Sequence, residues 1–103
     1  MDAMHVDASA PLHGLPGADL VAEGLEDLRA GRDTVAAALV STAASRLRFS
    51  GLDVPRRDDG QRPSHRLYEL LAERHGVSAH SRYNALIGRI VSFAHAAERA
   101  RTR

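Results

Sequence analysis

The sequence contains no cysteine, no tryptophan and no lysine. The lack of cysteine excludes disulfide bonds and thiolate metal sites. Its longest unbroken apolar run, residues 35–40, is far shorter than the about 20 residues that a membrane-spanning helix needs. Residues 1–17 have neither the basic segment nor the apolar segment of a signal peptide. We therefore predict a soluble, cytoplasmic protein that does not interact with a membrane.

Large apolar side chains are also scarce. Apolar residues make up 44% of the chain, but 18 of them are alanine, and there are only two tyrosines and two phenylalanines. A chain of 103 residues forms one domain, and a domain of this size with so thin a core is only marginally stable. We therefore expect additional burial in a homodimer or against a partner protein.

The charges are distributed unevenly along the chain, although the net charge is only +1. Residues 1–60 hold six arginines and ten acidic residues, a balance of −4, whereas residues 61–103 hold eight arginines and three glutamates, a balance of +5. Such an asymmetry indicates either an anionic partner, RNA or DNA, for the basic half, or attraction between the two halves in the fold.

Apolar residues with helical spacing predict an all-α single domain of four helices, and no stretch alternates with the period of a strand. The predicted helices span residues 18–30, 34–50, 64–75 and 79–100. Residues 1–16 lack a periodic apolar face, which predicts a disordered or loosely packed tail before a helical domain at 17–103. The proline-containing and glycine-containing segment 52–63 is predicted to be a connector.

Helix ends are marked by glycines and by short polar side chains. Gly31, Gly51 and Gly76 are placed to end the first three helices, where a left-handed residue is needed. Asp33 and Ser78 are the predicted N-caps of the second and fourth helices. The last two helices are thus predicted to form a C-terminal hairpin around Gly76.

The last helix is long and amphipathic. At 100° per residue, one arc of about 160° holds most of its large apolar side chains. The members of this arc are Tyr83, Leu86, Ile87, Ile90, Val91, Phe93, Ala94 and Ala97. Arg82 and Arg89 lie together on one flank, outside the arc. This arc predicts a helix that is buried or interfacial along one side.

One short segment combines a glycine turn with polar residues on both sides. In residues 71–86, LAERHGVSAHSRYNAL, the small Ala72 is followed by Gly76 at the turn and by the apolar Val77. This arrangement resembles the bihelical segment of bacterial helix-turn-helix regulators. The resemblance implies that the last helix enters the major groove of DNA.

The helix-turn-helix hypothesis implies DNA contacts from Arg82, Asn84 and Arg89, to base edges or phosphates. The sequence departs from the pattern at Arg82, where an apolar inward anchor is expected. The helical wheel instead turns Tyr83 inward, since burial of an unpaired arginine costs several kcal/mol.

The same segment holds an Arg/His spacing, in which Arg74 and the polar His75 precede His80 by a few residues. This spacing resembles the signature of HEPN-domain proteins, which are all-helical, usually dimeric and often metal-independent ribonucleases of toxin–antitoxin and defence systems. One branch of that family has a tyrosine two positions after the histidine, whereas Tyr83 stands three positions after His80. The predicted helices are also short for the family.

The HEPN resemblance implies an RNA-acting domain with Arg74, His80 and Tyr83 as catalytic residues. Histidine titrates near neutral pH and can transfer protons to and from a ribose hydroxyl. Arginine can stabilise the charge that develops on a phosphate. The resemblance thus predicts cleavage without a metal ion.

Other chemistries find little support, and no metal or cofactor is predicted. His75 and His80 lack a third ligand at the spacing of a zinc site, and there is no glycine-rich phosphate loop. A third interpretation needs no special residue. The thin core and the apolar arc of the last helix also fit a non-catalytic helical adaptor or oligomerisation module.

Overall fold

The computed structural model describes residues 14–56 and 61–101 of the chain. Its helices are α1 (Ala18–Ala30), α2 (Val35–Thr42), α3 (Ala44–Phe49), α4 (Pro63–His75) and α5 (Ala79–Arg101), with a 3₁₀ turn at Gly76–Ser78. The described ranges contain no strand. The all-α prediction is confirmed, including the long last helix.

The predicted second helix, 34–50, is bent at Ala43 into α2 and α3. The Leu47 amide donates to the Ala43 carbonyl oxygen at 2.9 Å, so the helical hydrogen-bond ladder continues past the bend. The hydroxyl of Thr42 donates to the carbonyl oxygen of Ala38 at 2.7 Å, a type of contact that bends helices. We therefore treat α2 and α3 as one bent body, which gives four helical bodies in all.

The turn from α1 to α2 is built differently from the prediction at one residue. Thr34, not Asp33, caps α2, because the Thr34 hydroxyl oxygen accepts from the Ala37 amide at 3.1 Å. Asp33 instead binds the guanidinium of Arg66 on α4, with 3.0 Å between Oδ2 and Nε. The N-cap prediction for Asp33 is wrong because two adjacent residues were both good caps.

Asp27 is a buried carboxylate near the end of α1 that holds this turn together. It accepts hydrogen bonds from the Thr34 hydroxyl at 2.6 Å and from the Arg32 guanidinium at 2.9 Å. These two contacts lower the pKa of Asp27. Gly31 has a φ of 77°, and its amide donates back to Asp27 and Leu28 carbonyl oxygens, as predicted for the end of α1.

Helices α1 and α2 approach each other closely at Gly24. A Cβ added to Gly24 would collide with the side chain of Val40 and the carbonyl oxygen of Ala36. Glycine is therefore the residue that fits this contact.

The core takes at least one side chain from every helix. Val21, Leu39, Leu47, Leu67 and Phe93 are each almost completely buried and come from α1, α2, α3, α4 and α5 in that order. The alanine-rich α2 lies between α1 and α4, so its small side chains bring its neighbours close to it.

The connector contributes to the core although no helical period marks it. Leu52 and Val54 are buried, and the guanidinium of Arg48 donates to the Val54 carbonyl oxygen at 2.9 Å. The sequence analysis did not anticipate this burial. Residues 57–60 of the connector lie outside the described residues.

The predicted tail, 1–16, is described only in part. Residues 1–13 lie outside the described ranges, so the prediction for them is not tested. Of the remaining three, Leu15 is partly buried and packs against the core. The part of the chain that contacts the domain therefore begins before residue 17.

Helix α5 follows its predicted wheel. The apolar arc splits into a buried set, Ile90, Phe93, Ala94 and Ala97, and a half-buried set, Tyr83, Leu86, Ile87 and Val91. The residues predicted on the opposite side are all exposed, namely Ser81, Asn84, Gly88, Ser92, His95 and Arg99. The half-buried set lies mainly in the first half of α5, between the buried Ala79 and Ile90.

Candidate nucleic-acid interface

The junction of α4 and α5, residues 71–89, is called the elbow here. Gly76 ends α4 with φ 53° and ψ −119°, values that favour glycine. Ser78 lies in the 3₁₀ turn, and its hydroxyl donates to the His75 carbonyl oxygen at 3.0 Å. Val77 is fully exposed at the outside of the turn. A three-residue turn therefore fixes how the polar ends of the two helices meet.

A basic groove runs along one flank of the elbow. Its polar wall consists of Arg74 and His75 from α4 together with Arg82 and Arg89 from α5. Its apolar floor consists of Val35, Leu71, Ala85 and Leu86. The groove has a volume of about 350 Å³, and no carboxylate of the described residues lines it. The arrangement suits a negatively charged ligand.

The arginines of the groove are not neutralised within the described part of the chain. Arg74 and Arg82 form no ion pair with any described carboxylate. Arg89 lies 3.8 Å from Asp19, but both side chains are more than half exposed, and an exposed pair of this kind contributes little. An incoming phosphate therefore meets guanidinium groups that do not have to give up a strong partner.

The pKa of His75 is affected by its burial and by the positive charge of the groove. Burial lowers its pKa, and the charges of Arg82 and Arg74 lower it further. Both effects favour the neutral imidazole. A bound anion would offset the two arginines and raise the pKa of His75.

A second polar cluster occupies a different side of α5. The ring centroid of Tyr68 on α4 lies 5.7 Å from that of Tyr83 and 6.5 Å from that of His80. The amide nitrogen of Asn84 lies 3.2 Å from Nε2 of His80. We call these four residues the aromatic cluster.

The structure divides the predicted site residues into two clusters, and each cluster contains residues from both the HEPN-like and the helix-turn-helix hypothesis. Arg74, predicted as catalytic, lies in the basic groove with Arg82 and Arg89, which were predicted to bind nucleic acid. His80 lies in the aromatic cluster with Tyr83 and Asn84. None of the contacts between described residues joins Arg74 to His80.

The helix-turn-helix pattern fits the structure least well at Arg82, where the pattern expects an apolar side chain that points inward. Arg82 and Ala85 are exposed, whereas Tyr83 is half-buried against α4. The predicted orientation of α5 is thus confirmed, and the arginine does not serve as an inward anchor.

Tyr68 is the participant that the sequence analysis missed. It is 39% exposed and touches both other rings of the aromatic cluster. No local signal marked it, because both of its ring partners lie on α5 and reach it only through the turn between the two helices.

The described residues contain no group of three or more histidine, aspartate or glutamate side chains that could hold a metal ion. In the same part of the chain, no helix has the length and apolar character needed to cross a membrane.

Comparisons with known proteins return nothing similar. No family model matches the chain, no curated protein matches it, and no solved structure matches it. The resemblances to HEPN domains and to helix-turn-helix regulators therefore rest on the elbow residues alone.

Proposed function

We propose that this protein binds single-stranded RNA at the elbow, with the phosphates in the basic groove. The observation that supports the proposal is the convergence of Arg74, Arg82 and Arg89 on one open groove whose described lining holds no carboxylate. Guanidinium groups bind phosphate through two parallel hydrogen bonds, and contacts of this type supply most of the affinity for nucleic acids.

The spacing of the arginines favours a polymer over a single small anion. Arg82 and Arg89 stand seven residues apart on α5, which is about 10 Å along the axis at about 1.5 Å per residue. Arg74 reaches the groove from the other helix. A chain of phosphates can contact all three groups, whereas one phosphate cannot span them.

The aromatic cluster favours RNA with unpaired bases over a duplex. Tyr68 and His80 are exposed, and Tyr83 supports Tyr68 from below with its ring inclined by 50°. Unpaired bases stack on such rings, with a gain of about 1–3 kcal/mol per base. In a duplex these base faces are already stacked and out of reach.

Cleavage of the bound RNA, as in HEPN-domain ribonucleases, is the finer form of the proposal. Nε2 of the exposed His80 lies 3.2 Å from the amide nitrogen of Asn84, so a proton transfer at Nε2 takes place beside this amide. Arg74 lies in the groove on the other flank of α5. An RNA strand that contacts both Arg74 and His80 therefore has to pass over the elbow near Gly76. Tyr83 then positions the ring of Tyr68 next to His80.

A homodimer and a cytoplasmic location belong to the same proposal. The exposed apolar Val77 and the half-buried side of the first half of α5 support association of the chain with a second copy. Sedimentation at micromolar concentration tests the dimer, and a stable monomer would remove this part of the proposal.

Binding is tested with a fluorescently labelled single strand of RNA of about 12 nucleotides, within the site sizes known for small domains. The variant combines Arg74→Gln with Arg82→Gln, and the matched control is Arg29→Gln, which removes an exposed charge on α1 outside the groove. We expect the double variant to weaken binding about tenfold or more, with a salt dependence shallower by about 1.4 because each phosphate contact contributes about 0.7.

Each other outcome points to a different function. Tighter binding to duplex DNA than to RNA, sensitive to Arg82, Asn84 and Arg89, would favour the helix-turn-helix hypothesis. Equal loss in Arg29→Gln would show that only net charge matters. No binding to either nucleic acid at low salt would leave the adaptor hypothesis.

A further inference from the structure

The outer face of α1 carries three carboxylates. Asp19, Glu23 and Glu26 lie within about 60° of one another at 100° per residue, so they share one face of the helix. All three side chains are exposed. Asp19 and Glu26 stand seven residues apart, which is about 10 Å along the helix axis. We call these three residues the acidic row.

The acidic row is hardly neutralised within the molecule. Glu23 and Glu26 form no ion pair or hydrogen bond with another described residue. Asp19 has only the exposed contact of 3.8 Å with Arg89. These carboxylates can therefore pair with arginines of another molecule without giving up a strong partner.

The acidic row begins beside the basic groove. A Cβ added to Gly17, at the start of α1, would lie 3.1 Å from the carbonyl oxygen of Arg89, so the start of α1 packs directly on α5. Arg89 lines the groove and is also the arginine that Asp19 reaches. An acidic surface and a basic surface therefore lie side by side on one molecule, with Asp19 and Arg89 at their boundary.

The two surfaces match in spacing as well as in charge. Arg82 and Arg89 also stand seven residues apart on one helix, so they span the same length as Asp19 and Glu26. In a two-fold interface, residue i of one molecule contacts residue j of the other, and j contacts i. Adjacent patches of opposite charge are complementary to themselves under this symmetry, because each acidic row then faces a basic groove.

We propose that two copies of the chain pair reciprocally, each with its acidic row in the basic groove of the other, and that this pairing excludes RNA from the groove. The exclusion of RNA rests on the proposed function, whereas the pairing itself does not. Exposed ion pairs are individually weak and are screened by salt, so the pair separates in dilute or salted solution and leaves the groove open to RNA. An apolar association through Val77 and α5 would not be screened in this way.

The first measurement is sedimentation equilibrium of the full chain without RNA. Raising the salt concentration from about 0.01 to about 1 M shortens the Debye length from about 30 to about 3 Å. We expect pairs at high micromolar protein concentration and low salt, and at least a tenfold weaker association (about that or more) at high salt. A monomer at low salt, or a pair that salt does not weaken, would overturn the proposal.

Charge reversal identifies the two surfaces. The row variant combines Glu23→Arg with Glu26→Arg, and the groove variant combines Arg74→Glu with Arg82→Glu. Each should weaken its own self-association about tenfold or more, because like charges then face each other. A mixture of the two variants should pair again, because every row then faces a groove of opposite charge. Arginine and glutamate are both good helix formers, so circular dichroism should show intact helices.

The matched control combines Asp53→Arg with Glu73→Arg, which changes the net charge as the row variant does, at exposed positions outside both surfaces. It should self-associate as the unaltered chain does. It should also bind a fluorescently labelled groove variant about tenfold more weakly than the row variant does, since only one of its two contacts is attractive. Equal binding by the control and the row variant would show that net charge alone drives association, and the reciprocal contact would be wrong.

The last measurement adds single-stranded RNA to the paired, unaltered chain. RNA phosphates compete with the acidic row for the same guanidinium groups, so the pairs should dissociate as the RNA saturates. Undiminished pairing at saturating RNA would contradict the exclusion. If the charge-reversal pattern holds but no RNA binds, the proposed function fails and the reciprocal contact stands.

Discussion

The last helix carries an apolar stripe along its whole length, yet the two halves of α5 use it differently. In the second half, Phe93 is 1% exposed and Ala94 and Ala97 are fully buried. In the first half, Leu86 and Ile87 are only half-buried, and the flanks carry arginines on one side and aromatic rings on the other. Within one continuous helix, the second half is buried in the core, and the first half carries the side chains that we propose bind RNA.

The reason for the difference is the number of neighbours. In the second half of α5, Phe93 lies against Gly17, the Ala94 carbonyl oxygen accepts from the Ser50 hydroxyl, and Glu98 pairs with Arg46 of α3. The first half has α4 beside it, and α4 itself contributes the exposed Tyr68. Ala79 and Ile90 are buried in the core at the two ends of the first half, so the core anchors the segment that presents these side chains.

The comparison is tested first by removing one aromatic ring from each half. Phe93→Ala should lower the free energy of unfolding by about 3–5 kcal/mol, as for other buried phenylalanines. Tyr83→Ala should cost only about 1 kcal/mol and should weaken RNA binding. Urea denaturation of both variants measures the two costs. Equal costs would show that the first half of α5 belongs to the core, and the proposed separation would fail.

His80→Ala tests whether the first half of α5 also takes part in RNA cleavage. If the elbow cleaves RNA, loss of the proton-transferring group should slow cleavage by about 10²–10⁴-fold. The ring is exposed, so the helical circular-dichroism spectrum should not change. Asn84→Ala is the matched variant, because it frees Nε2 and should not abolish cleavage. Unchanged cleavage in His80→Ala would contradict the HEPN-like hypothesis and leave RNA binding alone.

The smallest expected effect is a pH dependence of RNA binding. The pKa of His75 is lowered in the free protein by burial and by Arg82 and Arg74, and bound phosphates should raise it. RNA binding then takes up a proton, so affinity should rise as the pH falls through the pKa of the bound state and level off below that of the free state. Each unit by which RNA raises the pKa permits up to about tenfold tighter binding.

Fluorescence anisotropy between neutral and mildly acidic pH measures this effect. His75→Gln keeps a polar side chain without the titration, and its affinity should not vary over the same interval. An identical pH profile in the variant would show that His75 does not sense the bound RNA.

Helix boundaries and buried faces were accessible to sequence reasoning because they leave local signals. Gly31 and Gly76 end α1 and α4 in conformations that favour glycine, and the period of α5 placed Arg82 outside and Phe93 inside. Leu52 and Val54 left no such signal. Two apolar residues in an aperiodic connector reveal their burial only after the surrounding helices have packed.

The arrangement of the candidate site was less accessible. The spacing of Arg74 and His80 is the same whether they meet or point apart, because the outcome depends on the rotation that Gly76 and the 3₁₀ turn impose between α4 and α5. The contact of Tyr68 with His80 depends on the same rotation. The candidate binding and catalytic residues could thus be selected from the sequence, whereas their grouping into two clusters could not be predicted from it.

The most direct test of the elbow as the binding site is an amide NMR titration of the chain with single-stranded RNA. We predict that shifts concentrate in residues 71–89, with residues 93–97 and the second half of α1 nearly unchanged, since only Asp19 at the start of α1 lies near Arg89. Shifts centred on the buried half of α5, or spread evenly over all exposed arginines, would contradict the proposed division of α5 into a binding half and a core half.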